Sequence, residues 1–147
     1  MNEPLHDEIA MPVLLRGAHR VYGATIREAL AGAGYDDIPK NGIFVLAAIA
    51  RAGAPLSEII GHLGASKQAG GQLVDTLVVR GYLVRETDEQ DRRRLTVKLS
   101  ERGREAARIT RAAIERTDAA LFRRVGRERI AHTRATLLAL IESRHGH

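Results

Sequence analysis

The chain has 147 residues, enough for a single domain that buries roughly two-thirds of the surface its unfolded form exposes. Apolar residues make up 44% of it but aromatics only 3%, with no Trp, so the core has to be built from Leu, Ile, Val and Ala, a composition suited to packed helices. The formal charge of +5 favours a polyanionic partner, the absence of cysteine excludes disulfides, thiol redox sensing and thiolate metal sites, and no run approaches the ~20 apolar residues needed to cross a bilayer.

The first residues, MNEPLHDEIA, are acidic and polar where a secretion signal would be basic and then apolar, so a cytoplasmic protein is expected. From residue 9 to residue 30 the apolar positions Ile9, Val13, Leu14, Val21, Ile26 and Leu30 recur near helical spacing and predict a first helix. Pro12 sits either in its first turn or at a kink. Two glycines and two aspartates between Ala31 and Asp37 break the pattern. A second helix is expected to start near Pro39 and to run through Ile43, Leu46, Ala47 and Ile49 to about Arg51, with Gly53 as its cap. Residues 57–63 read as a short third helix and Gly64-Ala65 as a tight turn. Residues 66–80 then form a fourth helix, with Ser66 as N-cap and Gly81 beyond its end. Two helices joined by so short a turn make a helix-turn-helix.

After Gly81 the pattern changes to period two. Residues 82–87 and 95–99 are short, rich in β-branched residues and predict a hairpin, with the charged tip Asp88-Glu89-Gln90-Asp91-Arg92-Arg93-Arg94 between them. Ser100 is placed to cap a long helix through Ala106, Ile109, Ala113, Ile114 and Leu121. Gly126 breaks it before a last helix, residues 127–143, that carries Ile130, Leu137, Leu138, Leu140 and Ile141.

Charge is distributed unevenly along this order. Residues 1–60 carry five basic and seven acidic side chains, residues 61–104 nine and six, and residues 105–147 nine and five. In a helix-turn-helix the second helix lies in the DNA major groove with its N-terminal residues at base edges, so an apolar stripe must anchor its back. Gly70, Leu73, Val74 and Leu77 supply that stripe, leaving Lys67, Gln68, Gly71, Gln72 and Asp75 on the other side. Gln can bond adenine through its amide and Lys can reach guanine or a phosphate, while the Ser66 hydroxyl and the first-turn N–H groups can hold a phosphate. Asp75, farther along, is expected to pair internally. Each interior glycine costs about 1 kcal/mol relative to Ala. Close approach of Gly70 to the third helix, and of Gly71 to DNA, would offset it. At the hairpin tip, Arg92, Arg93 and Arg94 have the charge to enter an adjacent minor groove.

The stretch from about residue 56 to residue 103 resembles the MarR family, and the whole helix order agrees with it. Three features carry the resemblance. Arg80-Gly81-Tyr82-Leu83-Val84-Arg85 is similar to the family's exit from the recognition helix, Asp91-Arg92-Arg93 to its wing signature D-x-R, and Leu99-Ser100-Glu101-Arg102-Gly103 to its strand-to-helix junction L-[ST]-x-x-G. The double glycine departs from it, since the family usually has a hydrophobic residue where Gly70 stands. The resemblance implies a mainly α (α+β) winged helix-turn-helix, in the order helix, helix, optional short strand, helix, helix, strand, wing, strand, helix, helix. It implies one domain over residues 1–147, with dimerisation helices at 8–31 and 104–144 around a DNA-binding lobe at 39–100. By the same resemblance Arg93 is the wing-tip arginine and Asp91 the carboxylate that orients the wing. A homodimer would bind a palindromic operator on double-stranded DNA, as a repressor by default. A small aromatic or lipophilic anion would act as effector near Arg16, His19, Tyr22 and Phe44.

Two rival classes fit the residues less well. An enzyme would need a nucleophile, acid/base or phosphate-loop arrangement, and none of the familiar motifs occurs; Asp36 and Asp37, in a turn, are explained by solvation and capping. The six histidines form no i, i+4 pair, so no metal and no cofactor is expected. A helical protein-interaction adaptor without DNA binding is the other alternative, disfavoured by the basic excess and the wing.

Overall fold

The computed structural model describes residues 8–52, 59–61, 66–87, 89–91 and 95–143. Two compact units make up the chain, Met1–Ile114 and Glu115–His147.

The first unit opens on α1 (Met11–Gly32), which starts two residues after the apolar pattern does. The Ala10 carbonyl accepts from the Val13 and Leu14 amides, and Pro12 occupies the first turn, where its missing N–H leaves nothing unsatisfied; it is not a kink. The helix ends in a Schellman motif: the Gly34 amide donates to Ala31 and the Tyr35 amide to Leu30, with Gly34 at φ +89°. Next comes α2 (Gly42–Ala52), three residues later than the expected start at Pro39. Pro39 instead closes the turn before it, its carbonyl accepting from the Gly42 amide at 2.8 Å, because Asn41 and Gly42 favour turn geometry over a helix N-terminus. Residues 59–61 are helical, whereas Gly53, the Gly64-Ala65 turn, the rest of the third helix and the place of the optional strand fall outside the described residues.

In α3 (Lys67–Val79) the expected caps are present. Ser66 Oγ accepts from the Ala69 amide at 3.1 Å, and the far end is a second Schellman motif through Gly81 at φ +82°, a conformation only glycine adopts without strain. The chain turns at Tyr82 into β1 (Leu83–Thr87), which pairs antiparallel with β2 (Leu95–Leu99) in the register Leu83↔Leu99, Arg85↔Val97, Thr87↔Leu95. Leu83 and Leu99 are buried at the base of this hairpin, while Val84, Arg85, Glu86 and Thr87 are exposed, so the ribbon stands on the core and projects from it. Ser100 caps α4 (Glu101–Val125), its hydroxyl accepting from the Gly103 amide at 3.0 Å.

Ile26 and Leu30 of α1, Ile43, Val45 and Leu46 of α2, Val74 and Leu77 of α3, and Ala106 and Ala113 of α4 meet in one core, with Tyr82 as its largest fully buried side chain. The aliphatic core expected from the composition is therefore present, arranged around a tyrosine. Thr110, also buried, returns its hydroxyl to the Ala106 carbonyl at 2.8 Å, so no polar cost is left open.

The second unit holds the end of α4 and α5 (Arg127–Glu142), with Gly126 between them as expected. No residue of α5 is buried. Arg127 lies over the Phe122 ring, 5.1 Å from its centroid.

Candidate nucleic-acid interface

The division of α3 into two faces follows the sequence pattern. Gly70, Val74 and Leu77 are buried and Leu73 half-buried, whereas Ser66, Lys67, Gln68, Gly71, Gln72 and Asp75 are exposed. Since a helix turns through 3.6 residues, the spacing that commits one set to the core commits the other to solvent. Capping uses the acceptor side of Ser66 Oγ, and the hydroxyl can still act as a donor. No carboxylate stands in the first turn of α3, so the positive end of the helix, Lys67 and the Ser66 hydroxyl present one electrostatic sign.

Gly70 has the expected reason to lack a side chain. A Cβ there would lie 2.2 Å from Ile60 Cγ2, so the helical segment at 59–61 lies directly against α3 at this point. A Cβ at Gly71 would meet nothing within 4 Å, which leaves the backbone of the outer face open to close approach.

Asp75 pairs with Arg85 of β1, the internal partner anticipated for it, and Glu86 pairs with Lys98 across the hairpin. Arg85 thereby ties the orientation of the hairpin to that of α3. Asp91 is exposed at the tip; Arg92, Arg93 and Arg94 lie outside the described residues.

The four effector candidates lie on α1 and α2. His19 and Phe44 stack with ring centroids 4.9 Å apart, Tyr22 is half-buried one turn from His19, and Arg16 is exposed one turn to the other side.

One cluster was not anticipated. Asp37, read from the sequence as a solvated turn residue, accepts a hydrogen bond from the Tyr82 hydroxyl and pairs with Arg102 at 3.0 Å. The fold closes the α1–α2 connection onto residues 45 and 65 positions away, so Asp37 is not the solvated turn residue that local patterning suggests. The hydrogen bond from Tyr82, helped by Arg102, holds the Asp37 carboxyl below the usual carboxylate range. Burial, and the cost of setting a phenolate beside that carboxylate, push the Tyr82 phenol up to about 12. A phenol raised above its usual 10 stabilises the fold fully below pH 10, and that contribution is lost as the pH climbs toward 12. Ultraviolet titration should therefore show one phenolate forming near pH 12, in step with loss of stability, and Tyr82→Phe should remove both. A Tyr82→Phe titration identical to wild type would contradict the assignment.

Residues 37–94 match the model of the MarR family. No curated protein matches the chain by sequence. Among solved structures, S. aureus MepR in complex with DNA superposes with a TM-score of 0.73 at 18% identity, over 92% of this chain and 99% of that one. NadR in complex with 4-hydroxyphenylacetate gives 0.73 at 18% identity, over 90% and 93%. M. tuberculosis MosR in complex with DNA gives 0.66 at 20% identity, over 92% and 98%. The segment of family resemblance read from the sequence overlaps the matched residues, and the helix order and hairpin agree with these structures along nearly the whole chain. Residues 37–94 are thus similar to the MarR family, and the fold of the chain is the winged helix-turn-helix of these solved structures.

Proposed function

We propose that the protein is a dimeric, sequence-specific DNA-binding transcriptional regulator, a ligand-responsive repressor of a palindromic operator. The observation that carries this reading is the outer face of α3, where Ser66, Lys67, Gln68, Gly71 and Gln72 are all exposed on a helix whose opposite side is buried. MepR and MosR, which share the fold, have been solved with DNA bound, and this supports the same use of α3 here. In the proposed complex Gln68 and Gln72 read bases, Lys67 and Ser66 hold phosphate or guanine, and Gly71 admits the groove wall. The wing tip enters the minor groove through Arg92, Arg93 and Arg94, oriented by Asp91. Two copies joined through residues 8–31 and 104–144 present two lobes, residues 39–100, to half-sites one helical turn apart, roughly 34–36 Å. No enzymatic step and no cofactor enter this reading.

Effector binding is assigned to Arg16, His19, Tyr22 and Phe44. The stacked His19–Phe44 pair offers a flat apolar wall and Arg16 a cation, a combination suited to an aromatic carboxylate. NadR, of like fold, was solved with such a molecule. An effector that binds one spacing of the two lobes better than another would shift the DNA-binding equilibrium by that difference.

Selection of bound sequences from random duplex DNA tests the reading, with a palindromic consensus as the expected result. On the selected operator, Gln72→Ala should relax preference at one base pair by roughly 1–3 kcal/mol and leave the salt dependence unchanged. Replacing Arg92, Arg93 and Arg94 together with Ala should instead weaken operator and scrambled DNA alike, and should flatten the plot of log affinity against log salt by about one unit per lost contact. If the triple variant binds both duplexes with unaltered affinity and slope, the hairpin has no part in binding.

A further inference from the structure

The cluster around Tyr82 joins the α1–α2 connection, the end of α3 and the foot of α4. Three backbone bonds close the end of α3, from the Arg80 amide to Thr76, the Gly81 amide to Val78 and the Tyr82 amide to Leu77. The next atoms of the chain are then held from three directions. The Arg80 guanidinium donates to the Asp37 carbonyl and the Tyr82 hydroxyl to the Asp37 carboxylate, both in the α1–α2 connection. The Tyr82 carbonyl accepts from the Ser100 amide at 3.0 Å, at the foot of α4. Arg102, in the first turn of α4, closes the ring: its Nη2 reaches Asp37 Oδ1 at 3.0 Å and the Tyr82 hydroxyl at 2.9 Å. Its guanidinium lies over two rings at once, 4.6 Å from the centroid of Tyr82 and 5.3 Å from that of Tyr35, whose amide closes the turn after α1.

We propose that Arg102, with Asp37 and Tyr82, forms a clasp that sets the direction in which α3 leaves the core, so that Arg102 is a positioning residue for DNA recognition. This rests on the reading of α3 as the recognition helix. The mechanism is geometric. Arg102 and Asp37 are both more than two-fifths exposed, and an ion pair so wetted adds little to stability. What the clasp supplies is a fixed relation between the end of α1, the end of α3 and the start of α4, since one guanidinium donates to carboxylate and phenol while its carbon lies over both tyrosine rings. An ammonium at the same place keeps the charge and could donate to both acceptors, as Nη2 does, but it has no planar face to lie over the two rings. Because a recognition helix must place its amides within hydrogen-bond distance of base edges, a small change in its exit angle costs discrimination between sequences before it costs attraction to the phosphates.

Full-length wild-type protein, Arg102→Lys, Arg102→Gln and Tyr82→Phe are to be compared on selected operator and scrambled duplex, with thermal melting and sedimentation of each. Expected is a fall of about tenfold in the operator-to-scrambled affinity ratio, equivalent to about 1.4 kcal/mol, in all three variants, with dimerisation and the salt slope preserved. Arg102→Lys is the discriminating variant, because a role resting on charge alone predicts that lysine restores the ratio. An unchanged ratio in Arg102→Lys and Tyr82→Phe overturns the proposal, even if both melt lower. Should wild-type protein show no preference among duplexes, the reading of α3 fails on its own, and hydrogen exchange decides the clasp. The amides of residues 35–37 and 80–82 should then exchange faster together in Arg102→Lys; unchanged exchange, or a change confined to the neighbourhood of residue 102, overturns it.

Discussion

Gly103→Ala should destabilise the protein severely for the addition of a single methyl group. A Cβ at this position would lie 2.0 Å from the Tyr82 carbonyl oxygen and 3.0 Å from its carbon, and neither atom is the free end of a side chain. That carbonyl is already fixed by the Ser100 amide, and Ser100 by its bond to the Gly103 amide, so the clash cannot be relieved without opening the N-terminal cap of α4. Overpacking of a fitted core costs about 1–3 kcal/mol and occasionally more. Here backbone must move against backbone, which puts the cost at about 3 kcal/mol or above. With a melting-temperature change of about 2–4 °C per kcal/mol for a chain of this size, a drop of roughly 10 °C is expected by calorimetry. Gly71→Ala is the matched control, since its Cβ meets nothing and a helix interior gains up to about 1 kcal/mol from the exchange. Equal melting temperatures for the two alanine variants would show that α4 does not start as described. The same contact gives a physical meaning to the glycine of the Leu99-Ser100-Glu101-Arg102-Gly103 junction: strand, cap and helix converge within one carbonyl.

Replacing Leu137 and Leu138 with Glu should abolish both self-association and operator binding. Not one residue of α5 is buried within the chain, and Leu138, Leu140 and Ile141 are 54%, 55% and 51% exposed. Only Ile130 and Leu137 of its 16 residues are even half-buried, little cover for a helix that in water draws most of its stability from burial of an apolar face. In α1, Met11, Val13 and Val21 are likewise exposed. These apolar surfaces lie at the two ends of the sequence, and the proposed dimer through residues 8–31 and 104–144 would cover both. Glutamates there would have to be desolvated against the partner copy, at a cost the remaining contacts would not offset. Sedimentation at micromolar concentration should give a dimer for wild type and a folded monomer for the variant. Losing the second lobe removes the effective concentration it enjoys once the first is bound, so operator affinity should fall by about 10²–10⁴-fold. A variant that remains dimeric, or a wild type that sediments as a monomer, would remove the basis for two-lobed recognition.

By itself the sequence determined what depends on neighbours a few positions apart. The stripe of Gly70, Leu73, Val74 and Leu77, the caps at Ser66 and Ser100, the glycine stop at Gly81 and the two strands are local facts, since helical and extended chains repeat every 3.6 and every 2 residues and caps act within one turn. That Asp75 pairs internally was legible from its place well past the helix start, whereas its partner, Arg85 in the adjoining strand, was named only by the structure. Tertiary structure alone decided the rest. Whether Pro39 starts a helix or closes a turn depended on how the α1–α2 connection meets the core, and α2 begins at Gly42. Why Gly70 has no side chain became concrete only with Ile60 lying against it. Tyr35, Asp37, Tyr82 and Arg102 are spread over most of the first unit, and nothing in their spacing relates them. They meet because two Schellman ends deliver one tyrosine each to the first turn of α4, and a buried phenol needs a partner wherever the fold happens to place one.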